Sequence, residues 1–253
     1  MPDPFDLHGR TALVTGASRG LGLAMARGLA RAGADLALTA RRREDVEPVA
    51  AELRALGVRA VPLALEVRDR GSVQAAVAEA VSSLGAVDVL VNNAGVNVRK
   101  PVVELAEEEW DLVLDTNLKG YFLVAQAVAP HMLARGSGKI VHISSILGAV
   151  GLPGLAPYAA AKGGVVQLTK VMALEWARRG IQVNAIGPTY FETELTAPLR
   201  ADPERNRFIV ERTPMGRWGR PEELVGTLVW LASSASDFVT GQTIYVDGGW
   251  TAW

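Results

Sequence analysis

Residues 11–22 read Thr11-Ala-Leu-Val-Thr-Gly-Ala-Ser-Arg-Gly-Leu-Gly22, and this stretch decides the fold of the chain. Its first residues are apolar or β-branched and predict a buried strand, and the apolar spacing that follows predicts a helix over residues 20–32. The turn between them holds Gly16, Gly20 and Gly22. Glycines allow close approach of a pyrophosphate, and the free N–H groups of a helix start favour its negative charge. The stretch predicts a nucleotide-binding βα unit, although close helix packing can also require glycine.

Alternating strands and helices continue along the chain. Further strands are predicted at residues 35–40, 59–65, 87–91, 139–144, 181–186 and 242–246, and further helices at 44–57, 107–134, from 158 onward and at 222–232. This alternation is typical of parallel sheets with right-handed crossovers. We predict one α/β domain over residues 1–253: a doubly wound, Rossmann-type parallel sheet of about seven strands with helices on both faces.

Composition excludes several kinds of function. The 26 basic and 27 acidic residues give a formal charge of -1, which predicts neither a nucleic-acid nor a membrane partner. The chain has no cysteine and its three histidines are far apart, so we predict no disulfide and no metal site. Neither a signal peptide nor a membrane-spanning run is recognisable, and we expect a cytoplasmic protein.

The end of the second predicted strand indicates which dinucleotide binds. Enzymes that use NAD place an acidic residue there to hold the ribose hydroxyls, but this chain has Ala40. Arg41-Arg-Arg43 follows directly, and Arg19 lies in the glycine turn. Arginine binds phosphate bidentately, so these residues predict NADP(H) as the cofactor, with NAD as a possible substitute. The alternative is a solvated run of charge at a helix start.

The segment Tyr158-Ala-Ala-Ala-Lys162 supplies the predicted chemistry. Residues four apart lie on one face of a helix, so the Lys162 ammonium is expected beside the Tyr158 phenol. A free phenol has a pKa of roughly 10, and a neighbouring cation lowers this pKa toward the working range of an acid or base. Ser145 follows the fifth predicted strand and can hydrogen-bond a substrate oxygen. The alternative is an ordinary pair on a helix surface.

In combination these motifs resemble the short-chain dehydrogenase/reductase family over essentially the whole chain. The motifs that carry the resemblance, in the family's order and spacing, are Thr15-Gly16-x-x-x-Gly20-x-Gly22, Asn92-Asn93-Ala94-Gly95, Asn117, Ser145, Tyr158-x-x-x-Lys162 and Pro188. The resemblance implies that Tyr158 is the catalytic acid/base and that Ser145 polarises the substrate oxygen. It also implies that Lys162 lowers the pKa of Tyr158 and holds the nicotinamide ribose. Asn117 would hold a water of the proton relay, whereas a lone asparagine in a predicted helix indicates a local kink or a solvent-facing side chain.

The resemblance also implies a cofactor site. Its expected members are Gly16, Ser18, Arg19, Gly20, Leu21, Gly22, Arg41, Glu66, Val67, Asn93, Ala94, Gly95, Tyr158, Lys162, Pro188, Phe191 and Thr193. Two positions depart from the family. Thr189 follows Pro188 where a glycine is usual, and Glu66 stands where Asp or Asn usually meets adenine. These departures affect the expected path of the loop and the adenine contact but remove no catalytic group.

Three later stretches are similar to the gluconate 5-dehydrogenase branch of the family. They are Arg212-Thr-Pro-Met-Gly-Arg-Trp-Gly-Arg-Pro-Glu-Glu223, Ser233-Ser-Ala-Ser-Asp-Phe-Val-Thr-Gly241 and Val246-Asp-Gly-Gly-Trp250. A 3-oxoacyl carrier-protein reductase shares most of them and is the second interpretation. A non-catalytic NADP-binding regulator is the third, because a fold alone does not establish function. The complete set of four catalytic residues argues against the third.

Basic residues near the same sheet edge indicate the substrate. Arg99 and Lys100 follow the Asn92–Gly95 turn, and Arg200, Arg205, Arg207 and Arg212 populate a polar excursion over residues 188–221. We expect this excursion to form a substrate lid and Arg99 to hold a carboxylate. The predicted reaction interconverts a secondary alcohol and a ketone on a small polyol or sugar acid, such as gluconate or its keto form.

A homotetramer is implied by the resemblance. The expected subunit contacts involve the helices around Asn117 and Tyr158 and the C-terminal strand and tail, including Trp250 and Trp253.

Overall fold

Short runs of apolar and β-branched residues form the strands of one parallel sheet. The computed structural model describes residues 3–252. Within them the strands are β1 (Thr11–Thr15), β2 (Asp35–Ala40), β3 (Ala60–Ala64), β4 (Val89–Asn92), β5 (Gly138–Ile143), β6 (Ile181–Pro188) and β7 (Thr243–Val246). Their order is β3-β2-β1-β4-β5-β6-β7, and every neighbouring pair is parallel. The predicted fold class is confirmed.

The order of the strands reverses between β1 and β4. The chain runs outward through β2 and β3, then returns to place β4 on the other side of β1. In such a sheet, the connections at this point leave in opposite directions and open a crevice at the carboxyl ends of the strands. The crevice is the site of ligand binding in open α/β sheets.

The helices cover both faces of the sheet. They are α1 (Gly20–Arg31), α2 (Glu47–Arg54), α3 (Arg70–Leu84), α4 (Glu107–Leu114), α5 (Gly120–Arg135), α6 (Ala156–Trp176), α7 (Ala197–Ala201), α8 (Pro203–Arg212) and α9 (Val225–Ala232). Short 3₁₀ turns span Arg43–Asp45, Val102–Glu104, Ile146–Gly148, Ala177–Arg179, Glu194–Thr196, Pro221–Leu224 and Ser234–Ser236. No helix within residues 3–252 has the length and apolar character needed to cross a membrane.

Each face of the sheet has its own apolar core. Val14 belongs to the core that contains Met25 and Leu29 of α1, whereas the adjacent Leu13 belongs to the core that contains Val124 and Val128 of α5. Successive strand residues point to opposite faces, so a strand buried on both sides is apolar throughout. This explains why the strands were recognisable in the sequence.

The helix predicted over residues 107–134 is interrupted. A π-helical turn at Asp115–Lys119 separates α4 from α5, and it contains Asn117. The Asn117 side chain is fully buried, so the predicted kink is found and the solvent-facing alternative is wrong. Such turns widen a helix locally and are frequent at functional sites.

The excursion after β6 packs on the sheet edge through a third apolar cluster. This cluster joins Ile209 of α8 and Trp218 to Ile146 and Leu147, which follow β5. Trp250 belongs to the same cluster and is only 1% exposed. The ring is enclosed by its own chain, and the position of Trp250 near a subunit contact stays a prediction. Trp253 lies outside the described residues.

Candidate active site

The three glycines of the turn after β1 are required by the backbone. Gly16 and Gly20 have φ angles of 68° and 58°, a region that favours glycine. A Cβ on Gly22 would lie 2.0 Å from the carbonyl oxygen of Gly16, so only glycine lets α1 start this close to the turn. No side chain caps α1, and its first turn holds no acid. The free N–H groups at this helix start fit a phosphate.

Hydrogen bonds of Thr15 and Asn93 connect the glycine turn to the end of β4. The Asn93 side-chain amide donates to the carbonyl oxygens of Thr15 and Gly16 at 2.9 and 3.0 Å. The backbone N–H groups of Asn93 and Ala94 donate to the Thr15 hydroxyl at 2.8 and 3.0 Å. Asn93 was predicted as a cofactor ligand, and its side-chain amide holds the glycine turn in place. Thr15 was not predicted as a site residue; its position at the end of the first strand was the available signal.

The arginines after β2 differ in whether they form ion pairs. Arg42 pairs with Asp45, and Arg43 pairs with Glu79 at 3.1 Å, so the solvated-charge interpretation holds for these two. Within residues 3–252, no carboxylate forms an ion pair with Arg19 or Arg41. The pKa of Asp45 is lowered mainly by its hydrogen bond with Arg42 and further by the charges of Arg41 and Arg19. The charges of Arg19, in the glycine turn, and Arg41, after β2, thus both act on Asp45.

Glu66 is engaged within its own loop. Its carboxylate accepts hydrogen bonds from the Arg68 guanidinium at 3.0 and 3.1 Å and from the Arg68 backbone N–H at 3.1 Å. The hydrogen bond with the Arg68 side chain lowers the pKa of Glu66. The adjacent Val67 is buried against Gly120, where a Cβ would come within 2.9 Å of the valine. Contact of these two residues with adenine stays a prediction.

Ser145, Tyr158 and Lys162 meet at the carboxyl edge of the sheet. Ser145 is buried just beyond β5, and its hydroxyl accepts from the Leu147 N–H at 3.1 Å. Tyr158 is half-buried near the start of α6, and Lys162 follows one turn later. The Lys162 Nζ lies 5.5 Å from the centroid of the Tyr158 ring. The surface-pair alternative is wrong, because Lys162 is only 3% exposed.

The pKa of Tyr158 is raised on balance, not lowered as the sequence suggested. Burial raises the pKa of Tyr158 to about 12; the hydrogen bond with Ser145 opposes this rise, and Tyr190 adds to it. The Lys162 Nζ instead donates to the Ile143 carbonyl oxygen at 2.7 Å and to the Tyr121 hydroxyl at 3.2 Å. The phenol is therefore protonated at neutral pH, the form that can donate a proton to a carbonyl oxygen.

The buried position of Lys162 makes the charged form of its side chain unfavourable. Burial lowers the pKa of its ammonium from the ordinary 10.5 to about 7. Its hydrogen-bond partners are neutral oxygens, and its charge faces the rings of Tyr121 and Tyr158. Such burial of a lysine is typical of a functional site.

Asn117 reaches a different part of the site. Its amide oxygen accepts from the Val96 N–H at 2.8 Å, and its amide nitrogen donates to the Val96 carbonyl at 2.8 Å. Gly95 packs so closely that a Cβ there would lie 3.2 Å from the same amide oxygen. The Asn117 side chain therefore fixes the loop after β4. Its predicted role in holding a water stays a prediction.

The chain beyond β6 returns to the glycine turn. Pro188 ends β6, and the hydroxyl of Thr189 is buried without a hydrogen-bond partner within residues 3–252. Phe191 is buried, and the Thr193 side chain lies 3.7 Å from the position of a Cβ on Gly20. Thr193 thus lies beside the glycine turn, whereas contact of Pro188 and Phe191 with the cofactor stays a prediction. The buried Thr189 hydroxyl without a described partner, and the glycine turn in which a Cβ on Gly22 would clash, fit a bound dinucleotide.

A cavity of about 300 Å³ lies under the excursion. Its walls are Arg99, Leu152, Pro153, Tyr190, Leu199, Glu204, Arg205, Phe208 and Ile209. Tyr158 packs against the same apolar cluster as the wall residues Leu152, Tyr190, Leu199 and Ile209. Tyr190 was not predicted as a site residue, since nothing in its local sequence distinguishes it.

Three of the six basic residues predicted near the substrate form ion pairs with the residues that the structure describes. Arg200 pairs with Glu192 at 3.2 Å and Arg205 with Asp202 at 3.3 Å. Lys100 pairs with Glu109. The Arg212 guanidinium lies over the Trp250 ring, with its Cζ 5.5 Å from the ring centroid. Arg99 is exposed at the cavity mouth and forms no ion pair with the residues that the structure describes. It is the basic wall residue best placed to take a carboxylate.

Comparisons with known proteins agree with this geometry. The family model described as enoyl-(acyl carrier protein) reductase matches residues 16–251. A gluconate 5-dehydrogenase of Gluconobacter oxydans is 48% identical over 99% of this chain and 98% of its own. The structure of a gluconate 5-dehydrogenase from Burkholderia cenocepacia in complex with NADP and tartrate has a TM-score of 0.97 and 47% identity, covering 99% of this chain and 98% of that one. A 3-oxoacyl-[acyl-carrier-protein] reductase of Staphylococcus aureus is 43% identical over 95% of this chain and 97% of its own.

Proposed function

Because the chain belongs to the short-chain dehydrogenase/reductase family, we propose that it interconverts a sugar acid and its keto form with NADP(H), as a gluconate 5-dehydrogenase does. The chain is an NAD(P)-dependent oxidoreductase that acts on CH–OH groups. The observation that carries the substrate proposal is the cavity that Arg99 lines together with Tyr190 and Leu152, since these last two pack in the same apolar cluster as Tyr158.

The proposed mechanism assigns one task to each side chain. The cofactor, when bound, supplies the hydride for reduction. Tyr158, a phenol that is protonated at neutral pH, donates its proton to the ketone oxygen. Ser145 hydrogen-bonds the same oxygen, and Lys162 keeps positive charge beneath the phenol as it loses its proton. Arg99 holds the substrate carboxylate and so orients the carbonyl.

We propose that Arg41 and Arg19 bind the 2′-phosphate of NADP(H). Arg19 lies in the glycine turn and Arg41 directly follows β2; neither has an ion-pair partner in the described part of the chain, and the charges of both act on Asp45. Ala40 offers no carboxylate that would repel the phosphate. The Burkholderia cenocepacia relative was crystallised with NADP, which supports the same cofactor here.

Arg41→Ala is expected to lower kcat/KM for NADPH about 10- to 100-fold and to leave kcat/KM for NADH nearly unchanged. A hydrogen bond to a charged group contributes roughly 1.5–3 kcal/mol, and NADH has no such phosphate. Steady-state kinetics with both cofactors measures the effect. Arg42→Ala is the matched control, because Arg42 is adjacent and exposed but paired with Asp45. An equal loss in both variants, or unchanged discrimination in Arg41→Ala, would refute the phosphate site.

Arg99→Ala is expected to raise KM for 5-keto-gluconate at least about tenfold with little change in kcat, because Arg99 would bind the carboxylate equally in ground and transition states. The control is Arg205→Ala, since Arg205 lines the same cavity but is paired with Asp202. An unchanged KM for every sugar acid tested would remove Arg99 from the substrate site.

A second candidate function is reduction of a 3-oxoacyl group carried as a thioester. Two observations favour it: the largely apolar wall formed by Leu152, Pro153, Leu199 and Phe208, and the 43% identity to the Staphylococcus aureus reductase. A sugar acid offers little apolar surface to such a wall, whereas an acyl chain does. Relative rates on the two substrate classes decide between the candidates.

We further propose that residues 188–221 act as a substrate lid and that the enzyme is a homotetramer that works in the cytoplasm. The lid is supported by the cavity beneath α8. The assembly is supported by apolar side chains exposed on α4, α5 and α6, namely Trp110, Phe122, Val171 and Leu174, because large exposed apolar patches mark contact surfaces. Light scattering is expected to give about four times the subunit mass of 26.8 kDa. A fully active monomer would contradict the tetramer.

A further inference from the structure

Tyr121 lies directly against the catalytic lysine, although no sequence motif includes it. It occupies the first turn of α5 and is only 1% exposed. Its hydroxyl donates to the Ile143 carbonyl oxygen at 3.1 Å and accepts from the Lys162 Nζ at 3.2 Å. The same Nζ donates to the Ile143 oxygen at 2.7 Å and lies 4.8 Å from the centroid of the Tyr121 ring. The Tyr121 hydroxyl, the Ile143 carbonyl and the Lys162 ammonium therefore form a closed triangle of hydrogen bonds.

The direction of these bonds favours a charged lysine. A tyrosine hydroxyl has one proton, and in this arrangement it goes to the Ile143 oxygen. The lone pairs of the hydroxyl then face the Lys162 Nζ, which must donate. Hydrogen bonds from an ammonium, and contacts of a cation with a ring face, are stronger than their neutral counterparts when shielded from water.

Few other groups near Lys162 can support its charge. The titratable side chains that face it are Tyr121 from α5, Tyr158 from α6 itself and His142 from β5. His142 is fully buried, 5.7 Å from the Tyr121 ring, and neither ring nitrogen has a hydrogen-bond partner among the described residues. Burial lowers the pKa of His142 to about 3, so it stays neutral and does not repel the ammonium. None of the three is a carboxylate.

We propose that Tyr121 is a positioning residue for the reaction, which holds the Lys162 ammonium under Tyr158 and keeps it charged. The inference rests on the proposed function of Lys162, and Tyr121 acts through that residue without touching the substrate. The Ile143 carbonyl alone would tether one N–H of the lysine but would leave the amine free to rotate around that bond.

Tyr121→Phe tests this role, because it removes the hydroxyl and keeps the ring. We expect kcat for ketone reduction to fall about tenfold, as for the loss of one hydrogen bond to a charged group, with KM for the ketone unchanged. Loss of the acceptor lowers the pKa of Lys162 further, so the fall in activity with rising pH should begin at lower pH than in the wild type. Tyr121→Leu, which also removes the ring, should show larger effects in the same direction.

Thr169→Val is the matched control. Thr169 is also buried on α6 and donates its hydroxyl proton to the Val165 carbonyl at 2.8 Å, two turns from Lys162. Thr169→Val should change Tm about as much as Tyr121→Phe does, but it should not shift the pH dependence of kcat. A wild-type pH profile in Tyr121→Phe, with or without a fall in kcat, would reduce Tyr121 to a structural residue and overturn the proposal.

Cofactor affinity gives a readout that needs no turnover. Fluorescence titration with NADPH at and above neutral pH is expected to show severalfold weaker binding in Tyr121→Phe than in the control, because a neutral lysine holds the ribose less well. Equal affinities in the two variants would contradict the proposal. A wild-type enzyme that binds NADPH but turns over no ketone would refute the proposed function alone, and the titration would still decide the role of Tyr121.

Discussion

Tyr158→Phe is expected to lower kcat at least about 100-fold while leaving NADPH affinity within a factor of about two. The variant loses the proton that reaches the substrate oxygen, and a positioned acid contributes roughly 10²–10⁴-fold. The ring and its packing in the cluster with Tyr190 and Leu152 remain. Steady-state kinetics and a fluorescence titration with NADPH measure the two quantities separately.

The control for this variant is Tyr245→Phe. Tyr245 is a half-buried tyrosine on β7, and removal of its hydroxyl changes none of the groups that face the substrate oxygen in the proposed mechanism. It should retain most of the wild-type kcat. If Tyr158→Phe retained more than about a tenth of kcat, a general acid other than Tyr158 would be required.

Lys162→Met is expected to lower kcat at least about 100-fold without lowering stability. The wild-type ammonium is buried against neutral partners, so an apolar side chain of similar length relieves the cost of its burial. The Ile143 carbonyl keeps a partner, because the Tyr121 hydroxyl still donates to it. Loss of activity together with equal or higher Tm identifies a residue retained for function.

The pH dependence of this stability difference has a definite sign. The pKa of Lys162 falls from 10.5 to about 7 on folding, so between these values the unfolded chain binds a proton that the folded chain lacks. The free energy of unfolding of the wild type therefore rises with pH across that window. The cost of burying the Lys162 ammonium is fully present below pH 7. The advantage of Lys162→Met in Tm should be largest below pH 7 and should vanish toward pH 10.5.

Lys170→Met serves as the control for the stability measurement, because Lys170 is an exposed lysine on the same helix. It should show no pH-dependent change in Tm. A large drop in the Tm of Lys162→Met below pH 7, absent from the control, would mean that Lys162 supports the fold instead of straining it.

The sheet and the glycine turn were predictable because their determinants are local. A parallel strand buried on both faces is a continuous apolar run, and a glycine required by positive φ or by a 2.0 Å approach appears in the sequence as glycine. Helix α3 was not predicted. Its buried face consists of small residues, among them Val73, Ala76 and Ala80, which give little contrast with the exposed side. The Asp69 side chain that caps it, accepting from the Ser72 N–H at 2.6 Å, was the available signal.

The membership of the site was easier to predict than the bonds within it. The spacing of Tyr158 and Lys162 placed them on one face of α6, but the direction of the ammonium depends on Tyr121 and on the Ile143 carbonyl, which come from other elements. Burial, which raises the pKa of Tyr158, also depends on tertiary packing. For the same reason the sequence could not distinguish the paired Arg205 from the unpaired Arg99.

The central claim is most directly tested by the ratio of kcat/KM for 5-keto-gluconate to kcat/KM for a 3-oxoacyl thioester, both measured with NADPH. We predict at least a tenfold preference for the keto acid, about 1.4 kcal/mol, because Arg99 can pair with its carboxylate. A ratio below one, with the thioester reduced faster, would contradict the sugar-acid assignment and establish the carrier-protein reductase as the better account.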